Sequence, residues 1–377
     1  MKIKTALCIS IVLIGITLVL DVANVMKIRI AYVKGNDVRF WNDPVLAVCE
    51  PQHQIVFIKT HKTASTTTCT IILRYGYIRN LSFALPPVSQ RKFPTTELFT
   101  ADKVEEYSNG ITNATFNIIP YHFRYNRKEL NKVVPGAMYI TILREPTAQF
   151  ESAFGYFEVA KHLDLVNISN PLAVFMTSPD RYYSDEREFK GKTQLRNGMA
   201  FDLGLSDDIH TKHDKDIERE VARLDRELNL VMLADYYEES LILLKKLLCW
   251  EWRDVLYIPK GHRSESLKYA LNQTLADSIQ KWNSVDVALY NHFNKSFWRK
   301  IGEYGPTFQR DLSEFRKRQA KFYDECVDSV ISYKDRREDR LTLKQGASHY
   351  CELSYFRVPA YNKMIRLKKY SEANNPS

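Results

Sequence analysis

Residues 54–67 read QIVFIKTHKTASTT. Four apolar residues, Ile55 to Ile58, bounded by polar ones make a short buried strand over 54–59, whereas STTTCTIILRY (65–75) sets Cys69, Ile72 and Leu73 at helical spacing. The unit is strand, tight loop, helix. The first amides of a helix have no internal partners and lie at the positive end of its dipole, so such a loop can bind a phosphate. Ser65, Thr66 and Thr67 add hydroxyls there, and Lys62 adds a full charge. The pattern is not G-x-x-x-x-G-K-[ST], because Lys62 precedes Ala64 instead of following a glycine. A plain N-cap flanked by solvated lysines is the structural alternative.

The same unit recurs outward from this stretch. AMYITIL (137–143) is a near-continuous apolar strand followed by Arg144-Glu145-Pro146 and a helix from Thr147 through His162. LNLVMLA (228–234) precedes a helix with Leu241, Leu244 and Leu248 on one face, and DVLYI (254–258) reads as a further strand. A short strand, TFNII (115–119), ends in Pro120 and brings His122 to the same edge as the loop. Strands alternating with helices predict an α/β fold: a P-loop-like, mainly parallel sheet flanked by helices, with ligands at the carboxyl ends of the strands. Residues 165–225 are more polar and are expected to cover the edge of the site, and 365–377 reads as a frayed tail.

Composition limits the function classes. With 377 residues, 45% hydrophobic and 26% charged, and with 13 Gly, 14 Pro and no internal period, the chain is neither disordered, collagenous, coiled-coil nor a solenoid. Net charge is +9, which suits an anionic ligand; no RRM, zinc-finger or helix-turn-helix signature is present, so no nucleic acid is expected as partner. Six scattered cysteines, at 8, 49, 69, 249, 326 and 351, form neither a disulfide mini-fold nor a zinc spacing, and no metal is expected.

Lys2 and Lys4 precede an uncharged apolar run from Thr5 to Leu20, which resumes after Asp21. By the positive-inside tendency this is a type II signal anchor, favoured over a cleaved signal because the small-x-small cleavage pattern is poor. The expected organisation is a cytoplasmic tail (1–4), a transmembrane signal anchor (5–26), a stem (27–52), a luminal domain (53–333) and a C-terminal extension (334–377). Five Asn-x-Ser/Thr sequons, at Asn80, Asn113, Asn167, Asn272 and Asn294, agree with a luminal chain. In an oxidising lumen Cys326 with Cys351 is the favoured bridge. Cys69 and Cys249, in apolar helical contexts, read alternatively as buried small hydrophobes.

HKTASTT resembles the phosphosulfate loop of sulfotransferases that use 3′-phosphoadenosine 5′-phosphosulfate (PAPS). The longer series IVFIKTHKTASTT, YHFRYN, YITILREPTAQFESAFGYF, NGMAFDLGL, EESLILLKKLLCWEWRDVLY and WNSVDVALYNHFNKSFW, spanning about residues 55–300, resembles the galactose 3-O-sulfotransferase family. The resemblance implies a sulfotransferase fold, a Golgi membrane location, PAPS as co-substrate without a metal, and sulfation of the 3-hydroxyl of a terminal β-galactose on a glycolipid or glycan. It leaves a homodimer open.

The same resemblance gives the residues roles. Lys62, Thr63, Ala64, Ser65, Thr66 and Thr67 would grip the 5′ phosphosulfate, with Lys62 beside the bridging oxygen and Lys59 adding field. Arg144 and Ser152 match the 3′-phosphate site. A sugar hydroxyl needs a general base, and His122 is the favoured one; His61 is the second candidate and could instead orient the sulfate. Ala64 stands where Gly is common in the family, tolerable if φ there stays negative, and Glu145 where Asn is common. An ATP-dependent kinase-like phosphotransferase and a catalytically silent glycan-binding relative are the alternatives.

Overall fold

The computed structural model describes residues 49–90, 92–184, 188–261, 263, 268–331 and 339–374. The anchor expected over 5–26 and most of the stem lie outside them; among the described residues no helix is long and apolar enough to cross a membrane. From Glu50 onward the chain forms one compact unit.

Its centre is a four-stranded, all-parallel sheet: β1 (Ile55–Ile58), β2 (Ile118–Ile119), β3 (Met138–Leu143) and β4 (Leu230–Leu233), in spatial order β2-β1-β3-β4. The strands are short runs of β-branched and aliphatic residues, and every residue of β1 and β4 is buried, as a sheet covered on both faces requires. Ile55 pairs with both Ile118 and Met138, so β1 is central. The chain moves from β1 outward to β2 and then returns to the other side of β1, which leaves the crevice beyond the ends of β1 and β3 as the switch point where α/β folds bind ligands.

Helix α1 (Ser65–Ile78) follows β1, and α2 (Pro146–Tyr156) follows β3. The helix expected to run from Thr147 to His162 is interrupted: Glu158 is left-handed at φ 53° and a separate turn covers Val159–His162. Helix α3 (Gly198–Asp202) is a single turn and α4 (Asp214–Glu227) is amphipathic, with Ile217, Val221 and Leu224 inward. Helix α5 (Tyr237–Leu248) packs on β4, and α6 (Gln273–Trp282), α7 (Ser284–Tyr304) and α8 (Phe308–Cys326) complete the helical layers.

The strand expected at 254–258 is absent. Trp252–Val255 is a helical turn closed by a capping box in which Glu251 and Asp254 satisfy each other's backbone amides. The carbonyls of Asp254 and Leu256 each accept from the Arg74 guanidinium at 2.7 Å, so this apolar run has no ladder to join. Arg74, 1% exposed in α1, also donates to Ser354 Oγ at 2.6 Å.

The C-terminal region is ordered by such ties. An antiparallel hairpin of β5 (Val327–Ile331) and β6 (Arg340–Leu343) leads to α9 (His349–Tyr355) and α10 (Val358–Asn374). The fray expected from residue 365 is instead helix through Asn374: Tyr361 is fully buried, and Arg366 and Lys369 pair with Glu105 and Glu106. Cys326 and Cys351 form the expected disulfide. Cys69 is a buried free thiol, whereas Cys249, a candidate for a bridge with the buried hydrophobe as its alternative reading, is disulfide-bonded and only partly buried.

Candidate active site

Each strand of the sheet delivers residues to one edge: Lys59 and the loop 60–64 after β1, His122 after β2, Arg144 after β3 and Asp235 after β4. They line a cavity of about 640 Å³ that also takes in Ser65, Thr66, Ser152, Tyr156, Lys260 and Arg263. Of the residues named from the sequence, Lys59, His61, Lys62, Thr63, Ala64, Ser65, Thr66, His122, Arg144 and Ser152 therefore share one space. Thr67 does not; it is buried, and its Oγ1 accepts from the Lys260 amide at 3.0 Å.

The loop is shaped for an anion in a way its composition does not display. Lys62 and Ala64 both adopt left-handed backbone, at φ 63° and 61°, alternating with their neighbours. Such alternation gathers successive N–H groups into a concave nest, which favours a bound negative charge. The condition for a strain-free alanine at position 64, a negative φ, is not met: the nest needs αL there, where a Cβ costs about 1–2 kcal/mol. The hydroxyls of Thr60, Thr63 and Ser65 hold the loop. Thr60 donates to the Ile142 carbonyl of β3 and accepts from Thr63 at 2.7 Å, and Ser65 Oγ donates to the Thr60 carbonyl at 2.5 Å.

Positive charge frames the cavity. The Lys62 ammonium sits 3.9 Å from the centre of the Tyr156 ring, and Arg144 Nη1 donates to the Lys62 carbonyl at 3.2 Å. Burial disfavours the Arg144 charge, partly offset by Asp235 and Glu151, so an incoming dianion would meet an incompletely compensated cation. Glu145, expected to alter the charge beside that site, is the N-cap of α2 and accepts from the Ala148 amide at 2.8 Å. Lys260 Nζ donates to the Tyr355 carbonyl at 2.5 Å, and burial pushes its pKa down to about 7, with Arg357 and Arg74 lowering it further.

The two candidate bases are in contact. The rings of His61 and His122 stack with centroids 4.0 Å apart at 16°. His122 Nδ1 lies 2.6 Å from the Lys59 carbonyl, so it donates and Nε2 is the acceptor. Burial holds the His122 pKa well below its ordinary range, and the charges of His61, Lys59 and Lys92 push the same way. His61 has a different environment. Its amide donates to Asp202 Oδ2 at 2.7 Å, its Nδ1 lies 2.9 Å from the same oxygen, and its carbonyl accepts from Gln149 Nε2 at 3.1 Å. Sequence reading missed Asp202, Gln149, Lys260 and Arg263. Asp202 lies inside the NGMAFDLGL block, but only the turn of α3 shows that it faces the loop.

The family model for galactose-3-O-sulfotransferase matches residues 3–345. The chain belongs to the galactose-3-O-sulfotransferase family. It is 37% identical over 298 residues to the galactosylceramide sulfotransferase of Mus musculus, a match covering 76% of this chain and 69% of that protein. To the galactosylceramide sulfotransferase of Homo sapiens it is 38% identical over 283 residues, covering 74% and 65%. To galactose-3-O-sulfotransferase 2 of Sus scrofa it is 34% identical over 282 residues, covering 74% and 69%. The matches thus span about two thirds of these relatives' own length.

Proposed function

We propose that this member of the family transfers a sulfuryl group from PAPS to the 3-hydroxyl of a terminal β-galactose on a glycolipid or glycan. The observation that carries the reading is the convergence of the nest at Lys62–Ala64, the Arg144 guanidinium and two stacked imidazoles on one cavity at the carboxyl edge of the sheet. The donor set fits PAPS: amides and Lys62 for the 5′ phosphosulfate, Arg144 and Ser152 for the 3′ phosphate. PAPS supplies the sulfuryl group.

The chain's own residues do the rest. One of the two stacked histidines, His122 or His61, takes the proton of the attacking hydroxyl, which is too weak an acid to ionise alone at neutral pH. Lys62 and the N-terminus of α1 meet the charge that develops on the departing oxygen. Lys59, 8% exposed behind the loop, adds to that field.

The N-terminal run with Lys2 and Lys4 ahead of it, together with the Cys326–Cys351 disulfide, supports a Golgi-type luminal enzyme anchored through residues 5–26. Radiolabelled PAPS incubated with galactosylceramide and with β-galactosyl glycans tests the reading. Label at the galactose 3-hydroxyl is expected, and failure to label any β-galactoside while adenosine 3′,5′-bisphosphate still binds would defeat it.

A further inference from the structure

The Asp202 carboxylate is 2% exposed and accepts three donors: the His61 amide (2.7 Å), His61 Nδ1 (2.9 Å) and Gln194 Nε2 (3.1 Å). An ionised carboxylate only accepts, so His61 Nδ1 must carry its hydrogen and Nε2 must be the ring's acceptor. The mount beneath Asp202 is rigid. Helix α3 is pinned by Asp286 of α7, whose carboxylate accepts from Met199 N (3.1 Å) and Ala200 N (2.8 Å). Asn197 and Asn283 tie the same two segments reciprocally, Asn197 Oδ1 accepting from Val285 N at 3.1 Å and Asn283 Oδ1 from Asn197 N at 2.8 Å. At the far end of α3 the Asp202 carbonyl accepts from Tyr125 N at 3.0 Å. A Cβ at Gly198, the first residue of α3, would meet Gln194 Oε1 at 2.6 Å and shift the amide whose Nε2 donates to Asp202.

The two stacked rings differ in what surrounds a proton. On His61 the new charge would face a buried carboxylate; on His122 it would face Lys59 and Lys92 and a neutral carbonyl. We propose that Asp202 is a positioning residue that fixes the tautomer and orientation of His61, making His61 the proton acceptor of the transfer and His122 its neutral stacking partner.

This rests on the sulfotransfer reading above. In the step, His61 Nε2 takes the hydroxyl proton as the galactose oxygen bonds to sulfur. The bond between sulfur and the bridging oxygen breaks, its electron pair leaving with adenosine 3′,5′-bisphosphate, and the imidazolium is balanced by Asp202. Asp202 never meets the substrate.

Three measurements on the full chain decide it. Asp202→Asn is expected to lower kcat by about 10²–10⁴-fold, as loss of the correct tautomer does in other carboxylate–histidine pairs, with the affinity for adenosine 3′,5′-bisphosphate changed less than threefold. In a His61→Ala background the same substitution should cost less than threefold, because both changes remove one unit. Nitrogen NMR of ¹⁵N-histidine-labelled wild type should show His61 as the Nδ1–H tautomer at neutral pH, a readout that does not depend on how Asp202→Asn folds. Equal losses in the two backgrounds, an active Asp202→Asn enzyme or an Nε2–H tautomer would each overturn the assignment. A wild type that sulfates no galactoside defeats the functional reading instead, whatever the tautomer.

Discussion

The guanidinium of Arg144 donates to the Lys62 carbonyl at 3.2 Å, so the residue that follows β3 holds the crest of the loop that follows β1. One side chain thus serves the loop's shape and the cavity's charge. Arg144→Lys keeps the charge and loses the planar fork. Loss of one charge-assisted hydrogen bond, worth about 1.5–3 kcal/mol, should weaken adenosine 3′,5′-bisphosphate binding about 10- to 150-fold in titration calorimetry. Unchanged affinity would remove Arg144 from the nucleotide site.

Ala64 occupies a backbone region that suits glycine, with φ at 61°. Ala64→Gly relieves the Cβ contact at the expense of a more flexible unfolded chain. The expected net gain is about 0.5–1 kcal/mol, seen in calorimetry as a Tm higher by about 1–3 °C. A lower Tm would show that the loop relies on the methyl group.

His122 is held neutral by burial and by nearby positive charge, while its ordinary value is 6.5. Below that pH the unfolded chain takes up the proton before the folded one does. Folded-state stability should therefore fall as pH drops through about 6.5 and below, and His122→Phe should flatten this limb in Tm measured from about pH 5 to 7. An equally steep limb in the variant would place the acid sensitivity elsewhere.

Lys260, pushed down to about 7 from 10.5, is part neutral at physiological pH. Its depressed value means that stability rises with pH between about 7 and 10.5, the window in which only the unfolded chain is fully protonated. A bound phosphate reverses this preference and favours the charged amine. Nucleotide binding should then take up a proton at pH 7.5, and affinity should fall by up to about tenfold per pH unit above 7. Calorimetry in buffers of different ionisation enthalpy reads the uptake directly, and Lys260→Gln should abolish it.

The sheet and the loop were legible because their signals are local. IVFI, MYITIL and LVML are apolar runs too short for helices, and KTHKTAS interrupts the first of them at the helix start. Trp252–Val255 defeated the same reading: DVLYI has strand composition, but Arg74, some 180 residues away in sequence, takes its carbonyls. Lys62 and His122 are legible because each lies within four residues of the end of a strand, and Arg144 because the family resemblance singles it out. Asp202 was not, because its partner is 141 residues distant and its own surroundings are those of an ordinary helical turn. The φ of Ala64 escaped for a related reason, since a left-handed alanine is chosen by the nest and not by propensity.

The order of the strands has a consequence for synthesis of the chain. Ile55–Ile58 leaves the ribosome first, yet its full-length neighbour ends at Leu143, about 85 residues later, and only a two-residue strand is available to it before then. At about 5–20 residues per second that is a wait of roughly 4–17 s with an apolar segment unpaired. Chaperone engagement at this stage of translation, more than the final stability of the sheet, would govern how much of the protein is recovered.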